Sequence, residues 1–345
     1  MKIGIQLIGV RQSQTGSFSK AAENANLDWI GAPNAQFYLG YMRMLNATDR
    51  ITVVAAIIPC FHATPLLHAH SALALQQASG GRFVLGMGTQ TKGQIRGEVG
   101  IDPPKPVMMA KEMIPLIRGI MDGTVSKHDG EYYKLNLPAG RLTGIYKGVS
   151  PPPIYFSGVN TLNLRVSGEV TDGLICHPIY TVKYLNEVVW PNVEKGLGRG
   201  GKDRSDFDMC AMPMIWIAEN EKEREEGYRM GKRNLANYYS TRAYGTYMDF
   251  HGWTKERIAI REVYDRAMGG PIDGAEMEAC LTNDIVDEVC LIGTPAEVRQ
   301  KAKERYANTT DGVLFYPFHD PYSGTEEGQL KSEENLYRVI KAFRA

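Results

Sequence analysis

Short runs rich in β-branched and aromatic residues recur along this chain with helix-patterned segments between them, and that alternation limits the fold more than any other feature. Strands separated by helices must cross over and pair in parallel, because a hairpin has no room for the helix. The runs fall at residues 2–7, 29–32, 51–58, 83–87, 154–157, 173–176, 209–218 and 312–316. Eight is the number a closed α/β barrel needs, so the pattern predicts a (β/α)8 TIM barrel, with an open doubly wound sheet as the alternative. At 345 residues the chain exceeds the roughly 250 of a minimal barrel, which predicts one domain over 1–345 carrying insertions at the C-terminal face of its strands.

Helix signals fill the gaps. Met109, Met113, Leu116, Ile117 and Ile120 keep a 3.6-residue period, as do Leu336, Val339, Ile340 and Phe343, and each set offers one apolar stripe to a sheet. Pro65 suits the first helical position, and Thr294-Pro295-Ala296-Glu297 has the spacing of a capping box. Two stretches, about 93–153 and 220–283, exceed what a barrel connection needs and are expected over its mouth. The first includes a hairpin-like run from His128 to Tyr133. The second carries Tyr238, Tyr239, Tyr244, Tyr247, Phe250 and Trp253, which fit either a pocket roof or a helical cover without ligand contact.

Composition narrows the partners. With 39 basic and 39 acidic residues interspersed, the chain has no electrostatic footprint for nucleic acid or an anionic membrane, which leaves small-molecule substrates. Five widely spaced cysteines without a CxxC pair argue against a disulfide frame and against a zinc site, so no metal is expected. A start of alternating Lys2, Ile3, Gly4 and Ile5 is unlike a signal peptide, and no run approaches the ~20 apolar residues of a membrane span. The expectation is a cytoplasmic protein.

The segment from Ser79 to Gln90, SGGRFVLGMGTQ, carries the most chemistry. A helix ends at Gly80-Gly81, a buried strand begins at Phe83, and Gly86 and Gly88 remove side chains where something flat can approach the backbone. By itself a Gly-x-Gly after a strand defaults to a tight turn.

SGGRFVLGMGTQ closely resembles the fourth-strand signature of the bacterial luciferase-like family, which includes members dependent on the deazaflavin coenzyme F-420 (F420). The stretches 89–95 and 167–173 resemble segments of a deazaflavin-linked subgroup, and 291–298 and 311–313 resemble the late Gly-Thr-Pro helix start and the last strand of the family as a whole. That resemblance implies a cofactor ring lying across the strand ends. Its backing would be a bulge at the end of strand three, often with a non-prolyl cis peptide, here Ala55-Ala56-Ile57-Ile58-Pro59. It implies cofactor contacts from Ala56, Ile57, Ile58, Gly86, Gly88, Thr89 and Gln90, and a second set from Ser157, Gly158, Val159 and Asn160. The latter four also suit a phosphate seat at a helix start, although a plain N-cap uses the same residue types. The family further implies a homodimer formed through outer helices.

For proton handling the candidates are His177, after strand six, and His62, after strand three, with His177 preferred for its place at the mouth. Better-known deazaflavin dehydrogenases carry Asp-His after strand two and Glu after the Gly-x-Gly. Here Pro33-Asn34 and Thr89-Gln90 stand at those places. Asn34 and Gln90 can hydrogen-bond a cofactor or substrate but cannot serve as acid or base near neutral pH. The resulting expectation is hydride transfer between reduced F420 and a small organic substrate. Two alternatives stay open: an FMN-dependent monooxygenase fed by a separate reductase, and a non-catalytic flavin-binding barrel.

Overall fold

The computed structural model describes residues 1–33, 38–138, 141–322 and 325–344. Its strands are β1 (Lys2–Gln6), β2 (Trp29–Ala32), β3 (Thr52–Ala55), β4 (Ile58–Pro59), β5 (Phe83–Gly88), β6 (Lys127–Asp129), β7 (Lys134–Asn136), β8 (Ile154–Ser157), β9 (Gly173–Ile175), β10 (Asp208–Ala211), β11 (Met214–Ile217), β12 (Leu291–Gly293) and β13 (Gly312–Pro317). Parallel pairing runs β1-β2-β3-β5-β8-β9-β10-β13, and β13 returns to β1 through Lys2–Gly312 and Ile5–Phe315. This is a closed eight-stranded barrel, and it excludes the open sheet. Its members coincide with the eight runs of the sequence.

Three local differences have physical reasons. The run 51–58 is interrupted at Ala56 and Ile57, after which β4 pairs with the far end of β5. The run 209–218 is split at Met212 and Pro213, because proline cannot donate to the ladder. The extra strand β12 was not expected. It is three residues long, too short for a periodic signal, and it pairs with β11 outside the closed ring.

Strands β5 and β13 are buried along their whole length, as parallel strands covered on both sides must be. Outside them the helix Pro65–Ser79 packs on Pro106–Asp122, which packs on Thr161–Val170, which packs on Trp190–Gly200. The predicted starts hold. Thr64 caps Leu67 N at the Pro65 helix, and Thr294 with Glu297 forms a reciprocal capping box at Pro295–Tyr306. The hairpin β6–β7 is antiparallel. Among the described residues all five cysteines are free, no three His, Cys, Asp or Glu gather into a metal site, and no helix is long and apolar enough to cross a membrane.

Candidate active site

The C-terminal ends of the strands form one face of the barrel, and the side of that face built by β1 to β8 is a shelf of backbone and small residues. Between β3 and β4 the Ala56–Ile57 peptide bond is cis, in the run where the family resemblance implies one. Gln6, at the end of β1, crosses beneath it and donates from Nε2 to Ala56 O at 2.6 Å. Gly31 makes room for that side chain, since a Cβ there would stand 2.2 Å from Gln6 Oε1. Ala55, Ala56 and Ile58 are buried, whereas Ile57 is half-buried with its Cδ1 toward Gly88.

The two glycines of β5 serve different ends. A Cβ on Gly86 would lie 1.9 Å from Ala55 O and 2.6 Å from Ile175 Cδ1, so its bare backbone lets neighbouring strands close up. A Cβ on Gly88 would meet the flexible Ile57 Cδ1 at 3.0 Å and Ser157 O at 3.4 Å. Gly88 thus leaves a shallow gap between Ile57 and Ser157, while the next residue, Thr89, is buried.

At the end of β8, Ser157, Gly158 and Val159 are half-buried and lead into the helix Thr161–Val170. Asn160 Oδ1 accepts from Asn163 N at 2.9 Å, so its oxygen is spent on the cap and only its Nδ2 remains for a ligand. Gly158 is demanded by packing, because a Cβ there would fall 2.3 Å from Asn163 Cβ. The Tyr180 hydroxyl reaches across from the β9 side and donates to Gly158 O at 3.0 Å.

Gln90 occupies the junction between β5 and the helix Lys92–Val99 with φ at 60°, a left-handed backbone that residues with side chains seldom take. Its Nε2 donates to Glu98 Oε2 at 3.2 Å, and the same oxygen lies 3.1 Å from His62 Nε2. Sequence reading found no ionisable group after the Gly-x-Gly. The structure brings one there from the following helix. Its signal was present: Thr91 and Gln94 form a capping box, and Glu98 stands four residues after Gln94 on the same helix face.

The opposite side of the mouth is aromatic. His177 follows β9 with its ring centroid 4.9 Å from Tyr238 and 4.7 Å from Tyr244, and Tyr180 lies at 6.3 Å. Burial pushes its imidazole down to about 3, so the ring is neutral at ordinary pH. Ile179 N donates to Nδ1 across a long 3.5 Å, which assigns the remaining proton to Nε2 and makes that atom a donor. Tyr238 is hydrogen-bonded to Tyr316 across 2.7 Å, and burial raises its phenol to about 12.

The six aromatic residues expected over the mouth divide into two groups. Tyr238 and Tyr244 face His177, whereas Tyr239, Tyr247, Phe250 and Trp253 pack with Tyr184 and His251 in a second cluster, which Tyr180 joins to the first. Tyr239 and Tyr247 are fully enclosed there, so they cover without lining. Asn34 lies outside the described residues.

These features fit a flat heterocycle bearing a phosphate. Gln6 Oε1 and Gln90 Oε1 are buried and have no partner among the described residues, so each can accept from a ring N–H. Gln6 and Tyr180 were missed in the sequence because a polar residue ending an apolar strand and one tyrosine among 18 carry no local signal.

Comparison with known proteins adds an independent line. The family model described as luciferase-like monooxygenase matches residues 18–311. A 5,10-methylenetetrahydromethanopterin reductase of Archaeoglobus fulgidus is 26% identical over 310 residues, covering 88% of this chain and 90% of that one. The structure of the coenzyme F420 dependent tetrahydromethanopterin reductase of Methanopyrus kandleri superposes with a TM-score of 0.76 at 18% identity, covering 99% of both chains. The FMN complex of the oxygenating constituent of 3,6-diketocamphane monooxygenase of Pseudomonas putida gives 0.67 at 19% identity, covering 100% of this chain and 98% of that one. At such identities the two structures speak for the fold.

Proposed function

The chain belongs to the luciferase-like monooxygenase family, and on that premise we propose that it is an oxidoreductase passing a hydride between reduced coenzyme F420 and a small organic substrate. The observation that carries the reading is the pairing across one mouth of a glycine-flanked shelf with a neutral imidazole N–H donor. The choice of deazaflavin is supported by the reductases among its relatives and structural neighbours.

When bound, the reduced deazaflavin supplies the hydride; orientation, shielding and proton placement are left to the protein. Ile57 and the gap at Gly88 support one ring face, with Ala56, Ile58, Gly86 and Thr89 fixing the backbone beneath. Gln6 Oε1 and Gln90 Oε1 accept ring donors. Ser157, Val159 and Asn160 Nδ2, with the helix start, hold the phosphate. His177 Nε2–H donates to a substrate oxygen, and because the ring stays neutral it polarises without adding a buried charge. Tyr238 and Tyr244 keep water from that oxygen. Residues 93–153 and 220–283 contribute the cover, and the working unit is a homodimer in the cytoplasm.

The FMN monooxygenase reading is supported by the FMN-bound neighbour and needs reduced flavin from a separate reductase. Titrating the apoprotein with F420 and with FMN separates the two. Saturable F420 binding with weaker FMN binding is expected, and tight FMN binding without F420 affinity removes the proposal. Bound reduced F420 that no acceptor oxidises would leave a non-catalytic barrel.

A further inference from the structure

The aromatic wall opposite the shelf leaves hydrogen-bonding ends unused. Neither His177 Nε2 nor the Tyr244 hydroxyl has a hydrogen-bond partner among the described residues, and neither is among the polar atoms sealed from solvent. Both residues are half-buried. Even so, burial pushes the imidazole down to about 3 and raises the Tyr244 phenol well above its ordinary range. Strong desolvation of a group that keeps an open end marks a recess, as distinct from a filled core or a free surface. With ring centroids 4.7 Å apart, the two ends fall within the span of one small molecule.

Tyr238 adds a third hydrogen of the same kind. Its hydroxyl lies 2.7 Å from that of Tyr316, which is enclosed and bonds to no other described group. The Tyr316 hydrogen would be orphaned anywhere else, so Tyr316 donates, and the half-buried Tyr238 keeps its own hydrogen to spare. All three spare hydrogens sit on groups that are uncharged at ordinary pH. A carboxylate or phosphate would meet no counter-charge on these rings and would lose its hydration. An uncharged carbonyl oxygen, with two lone pairs, matches two donors. Both tyrosines come from the insertion at 220–283, Tyr238 on the helix Glu221–Tyr239 and Tyr244 on the turn Arg242–Tyr244.

We propose that the insertion selects the substrate through Tyr244, whose hydroxyl joins His177 Nε2–H on one oxygen of an uncharged carbonyl compound. As recognition of the substrate this rests on the oxidoreductase reading; the binding of a carbonyl in the recess does not. The probes are acetophenone and isopropenylbenzene, which share an outline and differ in the oxygen acceptor, titrated into the apoprotein by intrinsic fluorescence and calorimetry. F420 is titrated in parallel.

Wild type should bind acetophenone about 25-fold more tightly than isopropenylbenzene, about fivefold for each of two hydrogen bonds. Tyr244→Phe should cut that preference to about fivefold by weakening the ketone alone, while F420 affinity stays unchanged. Equal affinity for the two probes, a ketone affinity untouched by Tyr244→Phe, or no acetophenone binding to wild type overturns the proposal. So does a loss in Tyr244→Phe shared equally by both probes, which would make Tyr244 a packing residue. Tighter binding of tetramethylammonium than of the ketone also overturns it, since the rings would then be a cage for a cation. Ketone preference as expected with no F420 affinity keeps the recess and overturns the cofactor reading instead.

Discussion

The two sides of the barrel mouth are made of different materials. The shelf of β1 to β8 is backbone, glycine and amide, with Gly86 packed against Ala55 O and with Gln6 holding Ala56 O. The opposite wall is a set of rings, His177 among Tyr180, Tyr238 and Tyr244, with Tyr238 joined to Tyr316. Backbone set by strand packing cannot yield without the barrel yielding, which suits it to hold a ring in one place. Side chains reaching from separate elements can change without unmaking the fold, which suits that wall to choose what meets the ring. The difference teaches that substitutions on the first side should act through stability or cofactor affinity, and those on the second through turnover.

The largest expected effect tests the rigidity of the shelf. Gly86→Ala forces a Cβ to within 1.9 Å of a carbonyl oxygen, and should cost about 3 kcal/mol, read as a lower urea midpoint with an unchanged slope. A loss below about 1 kcal/mol would mean the strands adjust freely, and the contrast between the two sides would collapse.

Next comes His177→Asn, which should lower kcat about 100-fold while cofactor and substrate affinity change little. An unaltered rate would assign His177 to packing alone.

A smaller effect sharpens the shelf's other end. Gly158→Asp mixes charge with a clash against Asn163, whereas Asn160→Asp keeps the cap and adds only the charge. It should weaken cofactor binding about tenfold through repulsion of a phosphate, with stability held or slightly raised by the helix N-terminus. Unchanged affinity would show that residues 157–160 only cap a helix.

The remaining effect is a pH slope. Burial holds His68, His251 and His319 down to about 4, and His177 to about 3, from an ordinary value of 6.5. Below pH 6.5 the unfolded chain therefore takes up protons that the folded one refuses. Stability should be full above that pH and fall as it drops toward 4. Of these four, His177 and His319 are tied to the ring wall, since His319 lies against Tyr316. His177→Asn should accordingly flatten the slope between pH 6.5 and 5. A urea midpoint as high at pH 5 as at pH 7.5 would contradict these burial effects.

How far the sequence could be read follows from the range of each interaction. Strand runs, the capping box at Thr294 and Glu297, and the Gly-x-Gly of β5 depend on neighbours within a few residues, so the barrel and its fourth-strand signature were legible. The two roles of Gly86 and Gly88 were not, because they depend on Ala55 of β3 and on Ile57 in the break that follows it. Glu98 was passed over because helix spacing brought it back to Gln90 and His62, and the hydrogen bond between Tyr238 and Tyr316 spans 78 positions. The aromatic stretch after residue 220 was read as one group. It is two, since only packing decides which rings face His177.

The most direct test of the central claim is a crystal structure with reduced F420 bound. The ring plane should lie over Ile57 and the gap at Gly88, with its phosphate at residues 157–160 and His177 on the open face. A ring lodged elsewhere, or a mouth closed by Tyr238 and Tyr244 with the cofactor outside it, would mean that the shelf is not a cofactor seat.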